Sequence, residues 1–344
     1  MIQHKLGTSD IEVSKICLGT MTFGEQNTQE QAFEQMDYAW QQGVNFFDTA
    51  EMYSVPGRLE TQGSTEKIIG NWLQKNNVRN QLILATKATG TGVKYIRNSP
   101  NFSAQHLNEA LEGSLNRLQT NYIDLYQLHW PERENNKFGV RTYPYGKNEG
   151  YEERFLESIE TLSGFIKQGK IKHWGLSNES PWGVMKYLNY CEKFNLPKPI
   201  SIQNAYSLNN RLYEYGLSEI TDFEGIGLLA YSPLAFGSLS GKYLNNQEPL
   251  EARLIKFPIF KRFLNPQAQK ATGAYQNIAN KIGISVAELA LAFVFHQKFV
   301  HSTIIGATNL QQLKQNIGAI NITLSDETIR EINEVYNVYQ DCAV

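Results

Sequence analysis

Eight short apolar runs punctuate this chain, and nothing else in it narrows the possible folds as much. They are Lys15-Ile16-Cys17-Leu18, Val44-Asn45-Phe46-Phe47, Leu82-Ile83-Leu84-Ala85, Ile123-Asp124-Leu125-Tyr126, Ile171-Lys172-His173-Trp174, Ile200-Ser201-Ile202, Ile226-Gly227-Leu228-Leu229 and Thr303-Ile304-Ile305. Each has the length of a buried strand. Helical patterns lie between them. Thr28-Gln29-Glu30-Gln31 reads as a capping box, with Phe33, Met36 and Trp40 on one face and Gly43 at the stop. Ser103 opens a second helix bearing Leu107, Leu111, Leu115 and Leu118, and Leu310, Leu313 and Ile317 mark a third. Strands alternating with helices predict a parallel sheet, and eight such units predict a closed (β/α)8 barrel, a TIM barrel. A hairpin over residues 2–13, turning at Gly7-Thr8-Ser9-Asp10, precedes it. No linker or compositional shift divides residues 1–344, so a single domain is expected.

Loop lengths predict which end of the barrel works. Helix-to-strand links are mostly short, whereas Ser54 to Gly63, Ala88 to Phe102, Trp130 to Tyr151 and Leu234 to about Ala268 are long strand-to-helix links. Barrel enzymes keep their chemistry in the loops at the carboxyl ends of the strands. The polar residues that close the runs agree: Asp48, Lys87, His129, Ser177 with Asn178, Gln203, and Tyr231 with Ser232. A barrel interior should not hold so many hydrogen-bonding groups unless something binds there.

Composition excludes several other classes. A net charge of -2 offers no broad basic surface for nucleic acid or anionic lipid. Three cysteines with no metal-like spacing argue for a reducing compartment and against a disulfide or zinc framework. The first residues lack the apolar core of a signal peptide, and the longest apolar run, near Leu289 to Phe295, is too short to span a bilayer. A cytoplasmic location is expected, with no membrane and no nucleic-acid partner.

The stretch Asp48-Thr49-Ala50-Glu51-Met52-Tyr53 puts a carboxylate at a strand's end and a phenol five residues later. Such a pair can move a proton if a base or cation completes it. Alone, it reads more readily as a helix-capping aspartate and a packing tyrosine.

Six motifs on successive strands decide between those readings. They are Asp48 to Tyr53, Ala85-Thr86-Lys87, Gln127-Leu128-His129-Trp130-Pro131, Gly175-Leu176-Ser177-Asn178, Gln203-Asn204-Ala205-Tyr206-Ser207 and Ala230-Tyr231-Ser232-Pro233-Leu234. In that order they resemble the aldo-keto reductases, nearest the longer bacterial Tas-type reductases and the β subunits of voltage-gated potassium channels. The resemblance runs from Gly19 to Asn309 and implies a catalytic tetrad of Asp48, Tyr53, Lys87 and His129. The implied activity is NADPH-dependent reduction of an aldehyde or ketone, with Tyr53 as general acid. Lys87 beside the phenol would favour phenolate, Asp48 would hold Lys87, and His129 would orient the carbonyl.

The resemblance also implies the cofactor contacts. Ser177, Asn178 and Gln203 would hold the nicotinamide carboxamide and Tyr231 would stack on the ring, with Gly19, Thr20, Met21 and Asp48 nearby. Ser232, Pro233, Leu234, Ala235, Gly237, Ser240 and Lys242 would line the pyrophosphate. Gly306, Ala307, Thr308, Gln312, Gln315 and Asn316 would face the adenosine end. Many family members carry Lys and Arg where Gly306 and Gln312 stand, so Arg253 of the seventh loop is matched to the 2′-phosphate and NADP(H) is favoured over NAD(H). Met21, Phe23, Tyr95, Trp130, Tyr143 and Tyr145 are candidate walls for a small carbonyl substrate with an apolar body. Two readings stay open: a working reductase, or a nucleotide-sensing subunit like the channel β subunits with slow residual chemistry. The channel likeness also leaves a homo-oligomer open. A sugar-phosphate enzyme is disfavoured, because the adenosine phosphates would occupy the place its phosphate needs.

Overall fold

The computed structural model describes residues 1–147, 151 and 153–344. Strands β1 (Gln3–Lys5) and β2 (Glu12–Ser14) form an antiparallel hairpin. Eight further strands follow: β3 (Ile16–Gly19), β4 (Phe46–Asp48), β5 (Ile83–Ala88), β6 (Ile123–Leu128), β7 (Ile171–Ser177), β8 (Ser201–Ala205), β9 (Gly227–Tyr231) and β10 (Val300–Ile305). They pair in parallel in sequence order, and β10 returns to β3 to close the barrel. All eight predicted runs are therefore strands. The hairpin caps the amino end, with Leu6, Ile11 and Val13 packed on inward residues such as Cys17, Phe46, Leu125 and Leu229. Gly7 makes this approach possible: at φ +57°, a Cβ there would lie 2.3 Å from the Ile200 carbonyl oxygen.

The helices form where their caps say they should. Thr28 closes a capping box with Gln31 ahead of helix Gln29–Gln41, and Ser103 caps Ala104–Leu118. Leu107, Leu111, Leu115 and Leu118 are buried against the strands, as are Leu313 and Ile317 of Leu310–Gly318. The β9-to-β10 connection is richer than predicted. Short turns and a four-residue helix, Arg253–Lys256, precede Pro266–Lys281, which Asn265 caps. A second helix, Val286–His296, contains the apolar run that has no periodicity of its own. It is buried on nearly every side, so it has no polar face to reveal it. Among the described residues no single helix is long and apolar enough to cross a membrane.

Register sets the height of the functional side chains. Asp48 pairs with Ala85, Lys87 with Gln127, and Ser177 with Gln203, all at the carboxyl end. The long loops rise from this end. Residues 148–150, in the loop predicted from Trp130 to Tyr151, lie outside the described residues.

Candidate active site

β4, β5 and β6 deliver Asp48, Lys87 and the residue before His129 to neighbouring positions, and the barrel's closure buries them. Lys87 is wholly buried. Its Nζ donates to Asp48 Oδ1 at 2.5 Å and to the Thr49 carbonyl at 2.7 Å. It also lies 4.9 Å from the centroid of the Tyr53 ring. The Tyr53 ring meets His129 edge-on, with centroids 5.7 Å apart. The four residues predicted from three separate motifs are thus neighbours around one point.

Asp48 is held on its other side by two amides. Gln127 Nε2 donates to Oδ2 at 3.1 Å, and Gln203 Nε2 donates to the same oxygen at 2.9 Å and to Gln127 Oε1 at 3.0 Å. Gln127 was not among the predicted site residues, although it stood inside a quoted motif. Gln203, predicted to face a carboxamide, directs its own Nε2 to Asp48. A hydrogen bond to a charged group contributes about 1.5–3 kcal/mol. Gln127→Leu should therefore lower unfolding free energy by about that amount, read by urea denaturation. An unchanged midpoint would show that Gln203 alone suffices.

The local electrostatics differ from the sequence expectation at Tyr53. Burial raises the phenol's pKa, Lys87 lowers it and Asp48 raises it, with burial the largest influence. The group is therefore a neutral phenol at neutral pH, although Lys87 does favour the phenolate. Lys87 itself is held above its ordinary range: burial opposes the charge, but Asp48 and Tyr53 outweigh it. His129 is pushed well below its usual value by burial and then by Lys87, so it is a neutral imidazole. Its buried Nδ1 has no hydrogen-bond partner among the described residues.

A second network lies at the ends of β7 and β9. Tyr231 donates to Asn178 Oδ1 at 2.6 Å, and Asn178 Nδ2 donates to the His129 carbonyl at 2.9 Å and to Ser177 Oγ at 3.1 Å. Asn178 and Ser232 have φ of 53° and 54°, a left-handed turn that asparagine tolerates well. Beside them opens a cleft of about 380 Å3 that includes Asn178, Tyr231, Ser232, Phe138, Arg262 and Phe263. The last three were not predicted. One of the expected walls lies elsewhere. Phe23 is fully buried in the core and cannot line a pocket. Its burial follows from the turn after β3, which the residue type alone does not reveal. Trp130 packs on His129 at 4.7 Å and donates to the Thr91 carbonyl at 3.0 Å, while Tyr143 and Tyr145 pack edge to face.

The loop positions come together in two groups. Gly237 has φ of 96°, and the space its Cβ would take is 3.4 Å from Lys242 Nζ. Arg253 makes no ion pair among the described residues: its Nε donates to Gln26 Oε1 at 3.0 Å, and burial pushes its pKa down to about 10. At the end of β10, Gln312 Oε1 accepts from Thr308 N and Oγ1 at 3.0 Å each, and Asn316 Nδ2 donates to the Gly306 carbonyl at 3.2 Å. Gln315 turns away and donates to Ser285. Gly19 lies where a Cβ would be 2.6 Å from Ile304 Cγ2, so strand packing alone requires glycine there. Thr20 Oγ1 donates to the Asp48 carbonyl, and the Met21 carbonyl accepts from Val55 N.

Ion pairs missed by sequence reasoning hold the loops. Arg97 grips Glu51 with bonds of 2.8 and 2.6 Å, joining the loop after β5 to the one carrying Tyr53. Arg133 grips Glu179 in the same way across the loops after β6 and β7. Each partner stands 46 residues from the other, beyond any local pattern.

Comparison with known proteins agrees with this arrangement. The family model described as "Aldo/keto reductase family" matches residues 15–337. The chain is 47% identical to "Protein tas" of Escherichia coli (strain K12) over 342 residues, 98% of this chain and 99% of that protein. It is 33% identical to "Uncharacterized oxidoreductase YrpG" of Bacillus subtilis (strain 168), covering 96% of this chain and 94% of the relative. It is 34% identical to "Aldo-keto reductase" of Babesia bovis, covering 76% and 98%.

Proposed function

The chain belongs to the aldo/keto reductase family, an oxidoreductase family that generally uses nicotinamide cofactors, and on that premise we propose that it reduces aldehydes or ketones with NADPH, Tyr53 serving as the proton donor. The observation that carries this reading is the buried Lys87–Asp48 pair beside the Tyr53 ring, with His129 against the same ring. A structural ion pair alone would not need a phenol and an unpartnered imidazole nitrogen next to it.

The residues present fit a phosphorylated nicotinamide nucleotide. Arg253 keeps a cation in largely buried surroundings without a carboxylate partner, and Lys242 stands beside it, its own pKa lowered by burial and by Arg253. Two such cations favour a bound anion. Asn178, Ser177 and Tyr231 supply an amide, a hydroxyl and an aromatic face at the strand ends. When bound, the nucleotide would supply the hydride. The chain's own residues do the rest. Tyr53 holds a proton at its hydroxyl until the carbonyl oxygen needs it. Lys87 favours the phenolate left behind, and Asp48, fixed by Gln127 and Gln203, keeps Lys87 in place. His129, being neutral, can orient the carbonyl by hydrogen bonding without adding charge.

Cofactor choice gives one prediction. Arg253→Ala should weaken NADPH binding about ten- to a hundredfold and leave NADH binding nearly unchanged, because only NADPH carries the 2′-phosphate. Fluorescence titration of both nucleotides into wild type and variant reads this. Equal losses would reduce Arg253 to a loop-shaping residue. The reductase reading itself is tested by steady-state turnover of a generic aromatic aldehyde with NADPH and NADH in parallel. A rate on the order of one per second or more with NADPH supports it, and tight nucleotide binding with turnover thousands of times slower supports a sensing role.

A further inference from the structure

At the amino end of the barrel, opposite the carbonyl site, a pocket of about 420 Å3 is walled by β1, the β2–β3 link, helix Val286–His296 and β10. Its polar lining is His4, Lys15, His296, Lys298, His301 and Thr323, with no carboxylate among the lining residues. Three of the chain's six histidines therefore meet at one pocket, in a protein whose overall charge is slightly negative. The His4 and His301 rings stand 5.8 Å apart. Lys15 is half-buried and makes no ion pair among the described residues; its Nζ donates to the Val300 carbonyl at 2.5 Å.

Burial without a compensating anion pushes Lys15 down to about 8. His4 and His301 are likewise lowered, by burial first and by Lys15 among the further causes. A buried ammonium usually finds a carboxylate, and a structural lysine serving only a carbonyl could be replaced by a neutral donor. The remaining wall is apolar, with Phe295, Ile320 and Ile322. The pocket's size lies in the range that holds a small organic molecule.

We propose that this pocket binds a small anionic molecule with an apolar body, its charged oxygens held by Lys15, His4 and His301. The ligand's head is a phosphate or a carboxylate. An anion would raise the histidine pKa values from their depressed free values, so binding takes up protons and strengthens as pH falls. His296 and Lys298, at the mouth, reinforce that sign, and no lining acid opposes it.

The test uses full-length protein saturated with NADPH, labelled with 15N in its histidine rings. Phenyl phosphate, benzoate and the neutral benzyl alcohol are titrated at about pH 6 and about pH 8, either side of the imidazole range. The anions should move the His4 and His301 signals saturably, with affinity at least about tenfold weaker at the higher pH and in Lys15→Met. Benzyl alcohol should not. Whichever anion binds more tightly identifies the head. His4→Asn and His301→Asn should show the same loss, and they carry the test if Lys15→Met does not fold. Carbonyl reduction should be unchanged in all three variants. An equal response to benzyl alcohol, no saturable response of His4 and His301 to either anion, or affinity indifferent to all three substitutions would overturn the proposal. None of these outcomes depends on whether the opposite site is a reductase.

Discussion

Tyr53→Phe should lower kcat by at least about a hundredfold, the usual scale for removing a general acid, and leave nucleotide affinity within about twofold. The ring would remain, packed edge-on against His129, and only the hydroxyl would go. The lost interaction is one the substrate oxygen makes as it gains charge, so kcat should fall rather than KM rise. Residual activity within a few fold of wild type would remove Tyr53 from the chemistry.

Lys87→Met should have two separable effects. It leaves Asp48 buried without its cation, still accepting from Gln127 and Gln203. Breaking a buried pair from one side costs about 3–5 kcal/mol, and the two amides should keep this case near the lower end. The second effect is on the pH profile. Lys87 lowers the Tyr53 pKa and Asp48 raises it, so removing the lysine must send the phenol's pKa further up. Activity of a protonated acid is lost as pH rises through its pKa, so the basic limb of kcat/KM should move to higher pH. The maximum should also fall, because a weaker acid protonates less readily and the phenolate loses its counter-charge. Urea unfolding and a pH series on the same preparation read both effects. A stable variant with the wild-type profile would leave Lys87 with no role in either.

Much of the barrel is legible in the sequence because its signals are local. Each strand is a short apolar run, and Thr28 and Ser103 announce helices that the structure contains. Asp48, Lys87 and His129 are legible as polar residues at strand ends, which a barrel brings together by construction, whereas the full tetrad with Tyr53 is what the family resemblance implies. What stayed hidden depends on pairings between distant residues. Gln127 and Gln203 reach the same Asp48 oxygen from strands β6 and β8, and nothing in either local sequence says which way an amide will turn. Glu51 sat inside the most informative motif, yet its role follows only from Arg97, in another loop. Phe23 was expected at a wall because an aromatic in an open-face loop looks the same whether it faces in or out. Charge states were hidden for a related reason: His129 is neutral, and Tyr53 a weaker acid than a free phenol, because of how much protein surrounds them. The Val286–His296 helix had no period to read, since burial on nearly every side leaves no polar stripe.

Hydride from the nucleotide and a proton from Tyr53 should reach a carbonyl at a useful rate. Isotope tracing tests it most directly. With NADPH deuterated at C4 on the transferred face and an aromatic aldehyde as acceptor, the product alcohol should carry deuterium at its carbinol carbon. It should appear at a rate on the order of one per second or more in wild type, and at least about a hundredfold more slowly in Tyr53→Phe. Unlabelled alcohol, or labelled alcohol formed equally fast by both proteins, would contradict the account.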